Sequence, residues 1–326
     1  MTTRFAIVGT GAISARHADV IRSMEGETEL VAVVSRNEDR AAQWARRHGA
    51  RAFASVTQAV AEASVDVVVV CTETGTHADR AVEAIDAGAH VIIEKPADVS
   101  LPQIDRIVEA RRRAGVRVGV VSQHRFDSAT ERVLEAVQSG RLGRITSAVG
   151  SLALWRDQAY YDSAAWRGTR LLDGGGALMN QGVHVVDVLL ALMGPAQEVV
   201  GYSTSLAHGG IEVEDIAVGA IRFASGALGV LHASTAAYPG GDVVIQVNGD
   251  KGRASIRNDR LEWLGTSSVR DESVGDALRG QYANFLRAVA GQEPVRVGLE
   301  DSRAAVAVIT GLYESSRRGA PVRLAT

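Results

Sequence analysis

Lysine is nearly absent from this chain, and one of its two lysines stands where an amine could do chemistry. The 326 residues contain 33 arginines but only Lys95 and Lys251. Lys95 lies in Glu94-Lys95-Pro96, directly after the apolar run Val91-Ile92-Ile93. A desolvated ammonium can lower its pKa and exchange a proton, whereas a guanidinium stays charged. Lys95 is therefore a candidate catalytic residue, and an ordinary solvated lysine is the alternative.

A second candidate centre lies around His184. If residues Met179 to Met193 form a helix, Asn180, His184 and Asp187 share one narrow face at about 100° per residue. An imidazole ordinarily titrates near neutral pH and can carry a proton, while Asn180 and Asp187 could fix its orientation or hold a substrate hydroxyl. A lone helical histidine is more often structural. The polar neighbours and the preceding Gly174-Gly175-Gly176 favour catalysis by His184 and Asn180.

A glycine-rich turn connects the first apolar run to the first amphipathic segment. It reads Gly9-Thr10-Gly11-Ala12-Ile13-Ser14, with a serine at the position of the third glycine in the usual fingerprint. Glycines at such a turn let a pyrophosphate approach a helix N-terminus. Because the turn lies between a strand and a helix, it predicts dinucleotide binding through Gly9, Gly11, Ala12 and Ile13.

The end of the second apolar run bears on the choice of nicotinamide cofactor. An NAD site normally places a carboxylate there, which would repel a 2′-phosphate. This chain offers Ser35 and Arg36, with Arg40 one helical turn further on. A hydroxyl and guanidiniums suit a phosphate, so NADP is the preferred cofactor and NAD remains possible. In the alternative, Arg36 stacks on the adenine and Glu38 or Asp39 reaches the ribose.

The first part of the chain alternates short β-branched runs with amphipathic segments. Continuous apolar runs are typical of strands buried on both faces, so the pattern predicts a doubly wound parallel α/β sheet over residues 1–122. The expected strands are Phe5 to Val8, Leu30 to Val34, Asp66 to Val70, Val91 to Ile93 and Val116 to Val121, and the expected helices are Ile13 to Met24, Arg40 to His48, Thr57 to Ala63, His77 to Ala87 and Leu101 to Ala114.

Residues 123–326 follow a different rhythm, with strand-like runs separated by short turns. The turns Ala224-Ser225-Gly226 and Asn248-Gly249-Asp250 favour antiparallel hairpins and hence an α+β domain. The expected strands are Arg144 to Leu154, Gln197 to Ser205, Ile216 to Phe223, Ala227 to Thr235, Asp242 to Asn248 and Ala254 to Arg257, and the remaining expected helices are Ser128 to Ser139, Ala277 to Ala290 and Asp301 to Arg318.

Composition narrows the class of protein. A net charge of −3 with both signs interspersed gives no electrostatic footprint for nucleic acid or an anionic membrane. Cys71 is the only cysteine, so no intrachain disulfide can form. No secretory signal precedes the first strand, and no apolar run has the length of a membrane span. The expected location is cytoplasmic, and since the histidines lack metal-ligand spacing, no metal is expected.

Several motifs, in this order, resemble those of the Gfo/Idh/MocA oxidoreductases, the glucose-fructose oxidoreductase and inositol dehydrogenase group. The resemblance covers essentially the whole chain. Its carriers are the Gly9-x-Gly11 turn, Cys71-Thr72 followed by His77, Glu94-Lys95-Pro96, Trp166-Arg167-Gly168, Gly174-Gly175-Gly176 with Asn180-x-x-x-His184, and the closing Tyr313-Glu314-Ser315-Ser316.

The resemblance implies a fold and an activity. The implied fold is an N-terminal Rossmann domain and a C-terminal domain with a large open sheet, mostly antiparallel, used for homodimer or homotetramer contacts. The implied reaction is hydride transfer to or from a sugar or cyclitol carbon, with Lys95 beside the nicotinamide and the reacting oxygen and His184 as the family histidine. Asn180 replaces a frequent aspartate, which puts a strict lysine, aspartate and histidine relay in doubt.

The same resemblance implies further contacts. Trp166 and Arg167 look like a segment that closes over the cofactor. His124 replaces an asparagine that is common in the family, and it is a hinge-packing residue or a substrate contact. The expected cofactor contacts beyond the glycine turn and the end of the second strand are Cys71, Thr72, His77, Glu94, Lys95, Gln123, Trp166 and Arg167.

Three functions remain open from the sequence. The first is an NAD(P)-dependent dehydrogenase or reductase of a sugar or cyclitol, in which His184 is the base and Lys95 stabilises the alkoxide. The second is an enzyme of the same family that acts on a nucleotide-linked sugar. The third belongs to another class, a binding protein that senses NAD(P) without turnover.

Overall fold

The computed structural model describes residues 2–269 and 276–324 and consists of two compact units. The first unit contains Met1–Val121 and Leu278–Glu300, and the second contains Ser122–Ala277 and Asp301–Thr326. The expected ranges 1–122 and 123–326 are consecutive, whereas residues 278–300 lie with the first unit. Periodicity predicts a helix from Ala277 to Ala290 but does not tell which core that helix covers. Among the described residues, no helix combines the length and apolar character needed to cross a bilayer.

The first unit is built on a parallel sheet of six strands in the order β3-β2-β1-β4-β5-β6. This order confirms the doubly wound Rossmann architecture. The three-residue strand β3 was not expected from the sequence, because it is too short to show a period. The elements are β1 Thr3–Val8, α1 Ala12–Ser23, β2 Thr28–Val34, α2 Glu38–His48, β3 Arg51–Phe53, α3 Val56–Ala63, β4 Val67–Val70, α4 His77–Asp86, β5 His90–Ile93, α5 Leu101–Ala114, β6 Val118–Val120 and α9 Ala277–Val289.

The core of the first unit explains why α9 belongs to it. The central strands are buried on both faces, as in β4, whose four valines are fully covered. Tyr282 and Phe285 of α9 are buried in the same apolar cluster as Phe5 and Ile7 of β1. Tyr282 stacks on Phe5 with 5.8 Å between ring centroids. The helix therefore supplies large aromatic side chains to a core formed mostly by the N-terminal part of the chain.

The second unit is built on a nine-stranded sheet in the order β14-β13-β12-β11-β7-β10-β9-β8-β15. All neighbouring strands are antiparallel except β7 and β10, which confirms a mostly antiparallel sheet. The elements are α6 Ser128–Gln138, β7 Ile145–Ala153, α7 Gln158–Asp162, α8 Val183–Met193, β8 Ala196–Thr204, β9 Ile216–Phe223, β10 Leu228–Ser234, β11 Val243–Gly249, β12 Arg253–Arg257, β13 Arg260–Gly265, β14 Ser267–Ser268, α10 Leu299–Arg318 and β15 Val322–Arg323.

In residues 2–269 and 276–324, helices pack on one face of this sheet. A Cβ at Gly150 of β7 would lie 2.5 Å from Leu189 of α8, and one at Gly219 of β9 would lie 2.6 Å from Leu312 of α10. Glycines therefore let both helices approach the strands closely. The opposite face exposes large apolar side chains on three adjacent strands, namely Val200, Tyr202, Val218, Leu228 and Val230.

The segment expected as one helix from Met179 to Met193 is two different helices. Residues Ala177–Gln181 form a π-helix, Gly182 follows, and α8 begins at Val183. π-Helices are rare in proteins, and those that occur are often found at functional sites. Because the winding of a π-helix differs from that of an α-helix, the argument that placed Asn180, His184 and Asp187 on one face at a constant angle per residue was wrong.

Candidate functional site

The glycine turn after β1 combines a tight backbone contact with open space. Gly9 has φ +106°, and a Cβ there would lie 2.5 Å from the carbonyl oxygen of Cys71. Gly11 begins α1, and a Cβ there would meet no atom within 4 Å. Ala12 and Ile13 form the first turn of α1, and the Ile13 side chain is exposed. The free N–H groups of this helix start therefore face open space, which fits a pyrophosphate.

Ser14, at the third fingerprint position, holds the turn together. Its hydroxyl donates to the carbonyl oxygen of Gly11 at 2.6 Å and accepts from the indole N–H of Trp44 at 3.1 Å. The side chain is completely buried. The departure from glycine therefore connects α1 to α2 without filling the space above Gly11.

The residues expected to determine selectivity between NADP and NAD lie at the protein surface after β2. The Arg36 guanidinium is 84% exposed and lies 3.8 Å from the Glu73 carboxylate. The Ser35 hydroxyl accepts from the N–H of Asn37, whose own side chain accepts from the N–H of Arg40 at the start of α2. Arg36 is thus available to a ligand phosphate, and the selection of NADP over NAD stays a prediction.

Lys95 lies two residues after the end of β5, and a buried network of hydrogen bonds holds the backbone of this segment. Glu94 Oε1 lies 2.8 Å from His17 Nε2, and His17 Nδ1 lies 2.7 Å from the Tyr282 hydroxyl. The other oxygen, Glu94 Oε2, accepts the backbone N–H of Lys95 at 3.0 Å. His17 and Tyr282 are completely buried. The network therefore links α1, α9 and the backbone of Lys95.

Glu94 carries negative charge in this setting. Burial by itself raises the pKa of Glu94, but the hydrogen bond and charge of His17 and the charge of Lys95 outweigh it and lower the pKa below its usual value. The sequence suggests a place for His17 under the glycine turn but does not reveal its bond to Tyr282, since 265 residues separate the two.

His77 links the loop after β4 to the segment after β5. Its side chain is buried, with Nδ1 2.9 Å from the Pro96 carbonyl oxygen and Nε2 3.0 Å from that of Thr72. Cys71 is also buried, and burial raises the pKa of its thiol. Both groups thus shape the two loops, and the cofactor contacts expected of Cys71, Thr72, His77 and Glu94 stay predictions.

Neighbouring protein atoms leave no room for a side chain at Gly175 and Gly176 in the glycine triplet before the π-helix. A Cβ at Gly175 would lie 2.3 Å from the Tyr313 hydroxyl, and one at Gly176 would lie 1.8 Å from the Glu214 carbonyl oxygen. The buried Glu214 carboxylate accepts the N–H groups of Gly176 and Leu178 and the Tyr313 hydroxyl, all at 2.8 to 2.9 Å. Burial raises the pKa of Glu214 above its usual value even though these three bonds lower it.

Asn180 is matched to a buried aspartate. Its side-chain amide donates to Asp173 Oδ1 at 2.5 Å, and its carbonyl oxygen lies 3.3 Å from the amide nitrogen of Gln181. The other Asp173 oxygen accepts the N–H of Gly168. An aspartate at position 180 would set two carboxylates against each other, so the asparagine fits its neighbour. No sequence motif marked Asp173 or Glu214 in advance.

Asp187 does not orient His184, contrary to expectation. Its carboxylate is buried and accepts the Ser122 hydroxyl and, at 2.8 Å, the Nε–H of Arg125. Arg125 also donates to Asp301 at 2.8 Å. Burial raises the pKa of Asp187, although Arg125 and Ser122 act to lower it. The residue thus anchors the segment after β6.

His124 contacts His184 through its ring. The two rings meet edge to face, with centroids 4.9 Å apart and 77° between planes. His124 Nδ1 lies 2.8 Å from Asp127 and 3.1 Å from Asp259, which has φ 64°. Burial lowers the pKa of His124, but the hydrogen bonds to both carboxylates outweigh it and raise the pKa to about 9. The ligand atoms of His124, Asp127 and Asp259 lie within 4.8 Å of one another, a spacing that could hold a metal ion. Because both carboxylates contact the same ring nitrogen of His124, they favour its protonated imidazolium form instead.

The segment around Trp166 forms an aromatic and cationic cluster. The Arg167 guanidinium lies 4.6 Å from the Trp166 ring and 4.3 Å from the Tyr160 ring, and it donates to the Tyr160 hydroxyl at 2.7 Å. In the second unit, Gln123 Oε1 is buried without a hydrogen-bond partner among the described residues. The cofactor contacts expected of Gln123, Trp166 and Arg167 stay predictions.

Comparison with known protein families identifies both units. Residues 3–122 match the model described as an oxidoreductase family with an NAD-binding Rossmann fold, and residues 130–255 match the GFO/IDH/MocA C-terminal domain. The chain is 28% identical to myo-inositol 2-dehydrogenase of Thermotoga maritima, over 93% of both proteins. It is 31% identical to 1,5-anhydro-D-fructose reductase of Ensifer adhaerens, over 86% of this chain and 84% of that one.

A solved structure shows the same arrangement of elements at similar identity. The WlbA dehydrogenase from Bordetella pertussis, in complex with NADH and UDP-GlcNAcA, is 32% identical to this chain. The alignment covers 100% of this chain and 98% of that one, with a TM-score of 0.93. The fold, the two family models and the full-length relatives therefore all place the chain in the same oxidoreductase family.

Proposed function

Because the chain belongs to the Gfo/Idh/MocA oxidoreductases, we propose that it transfers a hydride between a nicotinamide dinucleotide and a secondary alcohol or ketone carbon of a sugar or cyclitol. The relatives named myo-inositol 2-dehydrogenase and 1,5-anhydro-D-fructose reductase support this substrate class. The first unit matches a family model with an NAD-binding Rossmann fold, and members of the family act on sugars or polyols.

The observation that carries the proposal is the place of Lys95 in the parallel sheet. Gly9 follows β1 and Lys95 follows β5, so both lie at the carboxyl edge, where ligands bind in such sheets. Only β4 separates β1 from β5, which puts the two strand ends roughly 10 Å apart at about 4.8 Å per strand. A lysine side chain can span much of that distance toward a dinucleotide bound at the glycine turn.

Each catalytic group has a defined task in this proposal. A bound nicotinamide accepts or supplies the hydride. In oxidation, the His184 imidazole removes the hydroxyl proton, and the Lys95 ammonium stabilises the developing alkoxide. In reduction the transfer runs in reverse: Lys95 donates a proton to the forming alkoxide and is reprotonated by the His184 imidazolium. Asn180 holds a substrate hydroxyl through its side-chain carbonyl and takes no part in proton relay, because an amide does not titrate.

The two lysines of the chain provide a matched test. We expect Lys95→Met to retain folding and cofactor affinity while losing at least about 100-fold in turnover, since proton transfer and charge stabilisation each contribute that much. Lys251→Met changes an exposed residue in the turn between β11 and β12 and serves as the control. Absorbance at the reduced nicotinamide band, with a panel of sugars and inositols, measures both variants. Wild-type turnover by Lys95→Met would reject the assigned role.

NADP is the preferred cofactor in this proposal. The support is the exposed Arg36 at the end of β2 and Arg40 in the first turn of α2. We expect Arg36→Ala together with Arg40→Ala to weaken NADPH binding about tenfold and to leave NADH binding nearly unchanged, since only NADPH carries the 2′-phosphate. Fluorescence titration of both cofactors measures the difference, and equal losses would favour NAD.

A nucleotide-linked sugar is the second candidate substrate. What favours it is the likeness to the WlbA dehydrogenase, whose structure holds UDP-GlcNAcA. A cofactor sensor is the candidate from another class. Tight NADPH or NADH binding with no turnover of any inositol, free sugar or nucleotide-linked sugar would favour the sensor over both enzymes.

We further propose that the chain forms a homodimer or homotetramer through the uncovered face of the nine-stranded sheet, in the cytoplasm. Five large apolar side chains are exposed on adjacent strands of this face, including Tyr202 at 71% and Val230 at 54%. A contiguous apolar patch of this kind is typical of an interface. Light scattering of the wild type and of Tyr202→Glu should show an assembly that the glutamate dissociates.

A further inference from the structure

The His77 side chain bridges two loops at the carboxyl edge of the six-stranded sheet. His77 is the first residue of α4, and it is only 1% exposed. Its Nδ1 atom lies 2.9 Å from the carbonyl oxygen of Pro96, the residue after Lys95. Its Nε2 atom lies 3.0 Å from the carbonyl oxygen of Thr72, in the loop after β4. Each ring nitrogen therefore faces a backbone oxygen.

This pair of partners determines how many protons the ring carries. Carbonyl oxygens accept hydrogen bonds and cannot donate them. A neutral imidazole has one N–H group, so it would satisfy one of the two oxygens and turn the lone pair of its other nitrogen toward the second. An imidazolium has two N–H groups and satisfies both. Because buried polar groups are nearly always hydrogen-bonded, the geometry indicates that His77 is protonated on both nitrogens.

Asp98 supplies a negative charge for such a ring. The residue is completely buried, and both of its carboxylate oxygens accept backbone N–H groups, Oδ2 from Ala78 at 3.0 Å and Oδ1 from Val99 at 2.7 Å. Burial raises the pKa of Asp98, while these N–H groups and the charge of His77 act to lower it. Two oxygens that both accept are typical of an ionised carboxylate. Asp98 and His77 therefore form a buried pair of opposite charges.

The place of His77 in α4 makes this counter-charge necessary. A cation is disfavoured at the N-terminus of a helix, where the backbone N–H groups carry partial positive charge. Asp98 offsets both charges, because it accepts the N–H of Ala78, the second residue of α4. The acidic residues closest to His77 in sequence, Glu73 and Asp79, lie 3.8 Å and 3.0 Å from arginine nitrogens instead.

The two loops that His77 joins border the glycine turn and Lys95. A Cβ at Gly9 would lie 2.5 Å from the carbonyl oxygen of Cys71 and 3.2 Å from the backbone nitrogen of Thr72, so this loop is in close contact with the turn. On the other side, His77 holds the carbonyl oxygen of the residue that follows Lys95. The ring thus connects the backbone beside the glycine turn to the backbone that carries the lysine.

We propose that a doubly protonated His77, paired with Asp98, is a positioning residue that holds the Lys95 segment at a fixed distance from the glycine turn. The inference rests on the proposed hydride transfer, in which Lys95 meets the substrate beside a cofactor bound at that turn. A displacement of about 1 Å in such a site can cost about 100-fold in rate. With both nitrogens bonded to protein oxygens, the ring acts through the backbone and keeps no donor for the cofactor.

Nitrogen-15 NMR of the histidine side chains in the full chain tests the protonation state without requiring turnover. At about pH 7.5, where an ordinary histidine is mostly neutral, we expect the His77 ring to carry a hydrogen on both nitrogens. His77→Gln identifies the signals by their loss. Asp98→Asn keeps a side-chain oxygen for Ala78 but removes the charge, so it should lower the doubly protonated fraction severalfold. A wild-type His77 ring with a single hydrogen would overturn the proposal.

Steady-state kinetics at the reduced nicotinamide band tests the positioning. His77→Gln keeps one donor group, so we expect kcat to fall about 10- to 100-fold while the KM of the sugar changes less than about twofold. Asp98→Asn should lower kcat in the same direction, and it serves if the glutamine variant folds poorly. The matched control is His90→Gln, at the opposite end of β5, where His90 Nδ1 accepts the N–H of Arg117 at 2.9 Å. That variant should keep the wild-type kcat.

Amide hydrogen exchange separates failure of this proposal from failure of the proposed function. Exchange at Lys95 and Ala97 should be severalfold faster in His77→Gln than in His90→Gln, whether or not any substrate turns over. A doubly protonated ring and this faster exchange, without turnover of any sugar, would support the positioning role and contradict hydride transfer. Wild-type exchange at Lys95 and Ala97 in a folded His77→Gln, or wild-type kcat in that variant, would overturn the positioning role.

Discussion

The regions around Lys95 and His184 differ in how completely the neighbouring polar side chains are hydrogen-bonded. Below Lys95, the Glu94, His17 and Tyr282 side chains are buried and bonded to one another. Around His184, the neighbouring His124 is partly exposed and paired with carboxylates, and Oε1 of Gln123 beside it lacks a partner among the described residues. The first setting fixes the backbone from which the lysine extends. The second leaves donors and acceptors for a substrate, so we expect substrate specificity to reside mainly there.

The glycines of the two regions make the opposite contrast, and they provide the prediction with the largest effect. A methyl group on Gly176 would lie 1.8 Å from a backbone oxygen, whereas one on Gly11 would meet nothing within 4 Å. We expect Gly176→Ala to lower the free energy of unfolding by about 3 kcal/mol or more. Gly11→Ala should change it by less than about 1 kcal/mol but weaken cofactor binding, because the methyl group occupies the pyrophosphate's approach. Urea denaturation and cofactor titration measure both.

The control for this pair is Gly26→Ala, at a turn where a Cβ also meets nothing within 4 Å but φ is +86°. It should lose about 1 kcal/mol from backbone strain alone and keep its cofactor affinity. If Gly176→Ala is no less stable than Gly26→Ala, the close approach to Glu214 does not hold in solution.

The second prediction compares the tyrosine hydroxyls of Tyr282 and Tyr313, each bonded to a buried side chain. Tyr282→Phe leaves His17 Nδ1 without its partner, so the free energy of unfolding should fall by about 1–3 kcal/mol. Tyr313→Phe should have a smaller effect, because Glu214 keeps two backbone N–H donors. Thermal and chemical denaturation give both values. A larger loss in Tyr313→Phe would reverse the view that the first region is the one that depends on a complete network.

The third prediction is a pH dependence confined to the second region. The pKa of His124 is raised to about 9, so its ion pairs contribute their full stability below the ordinary histidine pKa of about 6.5 and lose it as the pH rises through about 9. The expected contribution is about 1–3 kcal/mol. NMR titration of the His124 ring should give the raised pKa, and Asp259→Asn should lower it. A His124 pKa near 6.5 in the wild type would contradict the imidazolium.

The sequence predicted what depends on local pattern. Alternating apolar runs located the strands of the first unit, and the ends of β1 and β5 identified Gly9 and Lys95 as candidate residues. The hairpin turns at Ala224 and Asn248 gave antiparallel neighbours, and the paired strands confirm them. These features follow from residues close together in the chain, which is why one sequence sufficed for them.

What the sequence did not predict depends on distant contacts or on short, irregular elements. Tyr282 supports Glu94 through His17, a relation that no local period encodes. The sequence predicted an α-helix from Met179, whereas Ala177–Gln181 form a π-helix. The Glu214 carboxylate, 36 to 38 residues away, accepts the N–H groups at the start of this π-helix, and no local pattern shows that contact. Strands β3 and β13 were missed, the first for its length and the second for its mixed composition.

Isotope transfer tests the central claim most directly. A sugar or inositol deuterated at the reacting carbon, incubated with the oxidised cofactor, should yield reduced cofactor carrying the deuterium at C4 of the nicotinamide, as seen by mass spectrometry. We predict transfer in the wild type, and at least about 100-fold slower transfer in Lys95→Met and in His184→Asn. Cofactor that binds tightly but never gains deuterium from any neutral or acidic sugar would contradict hydride transfer by this protein.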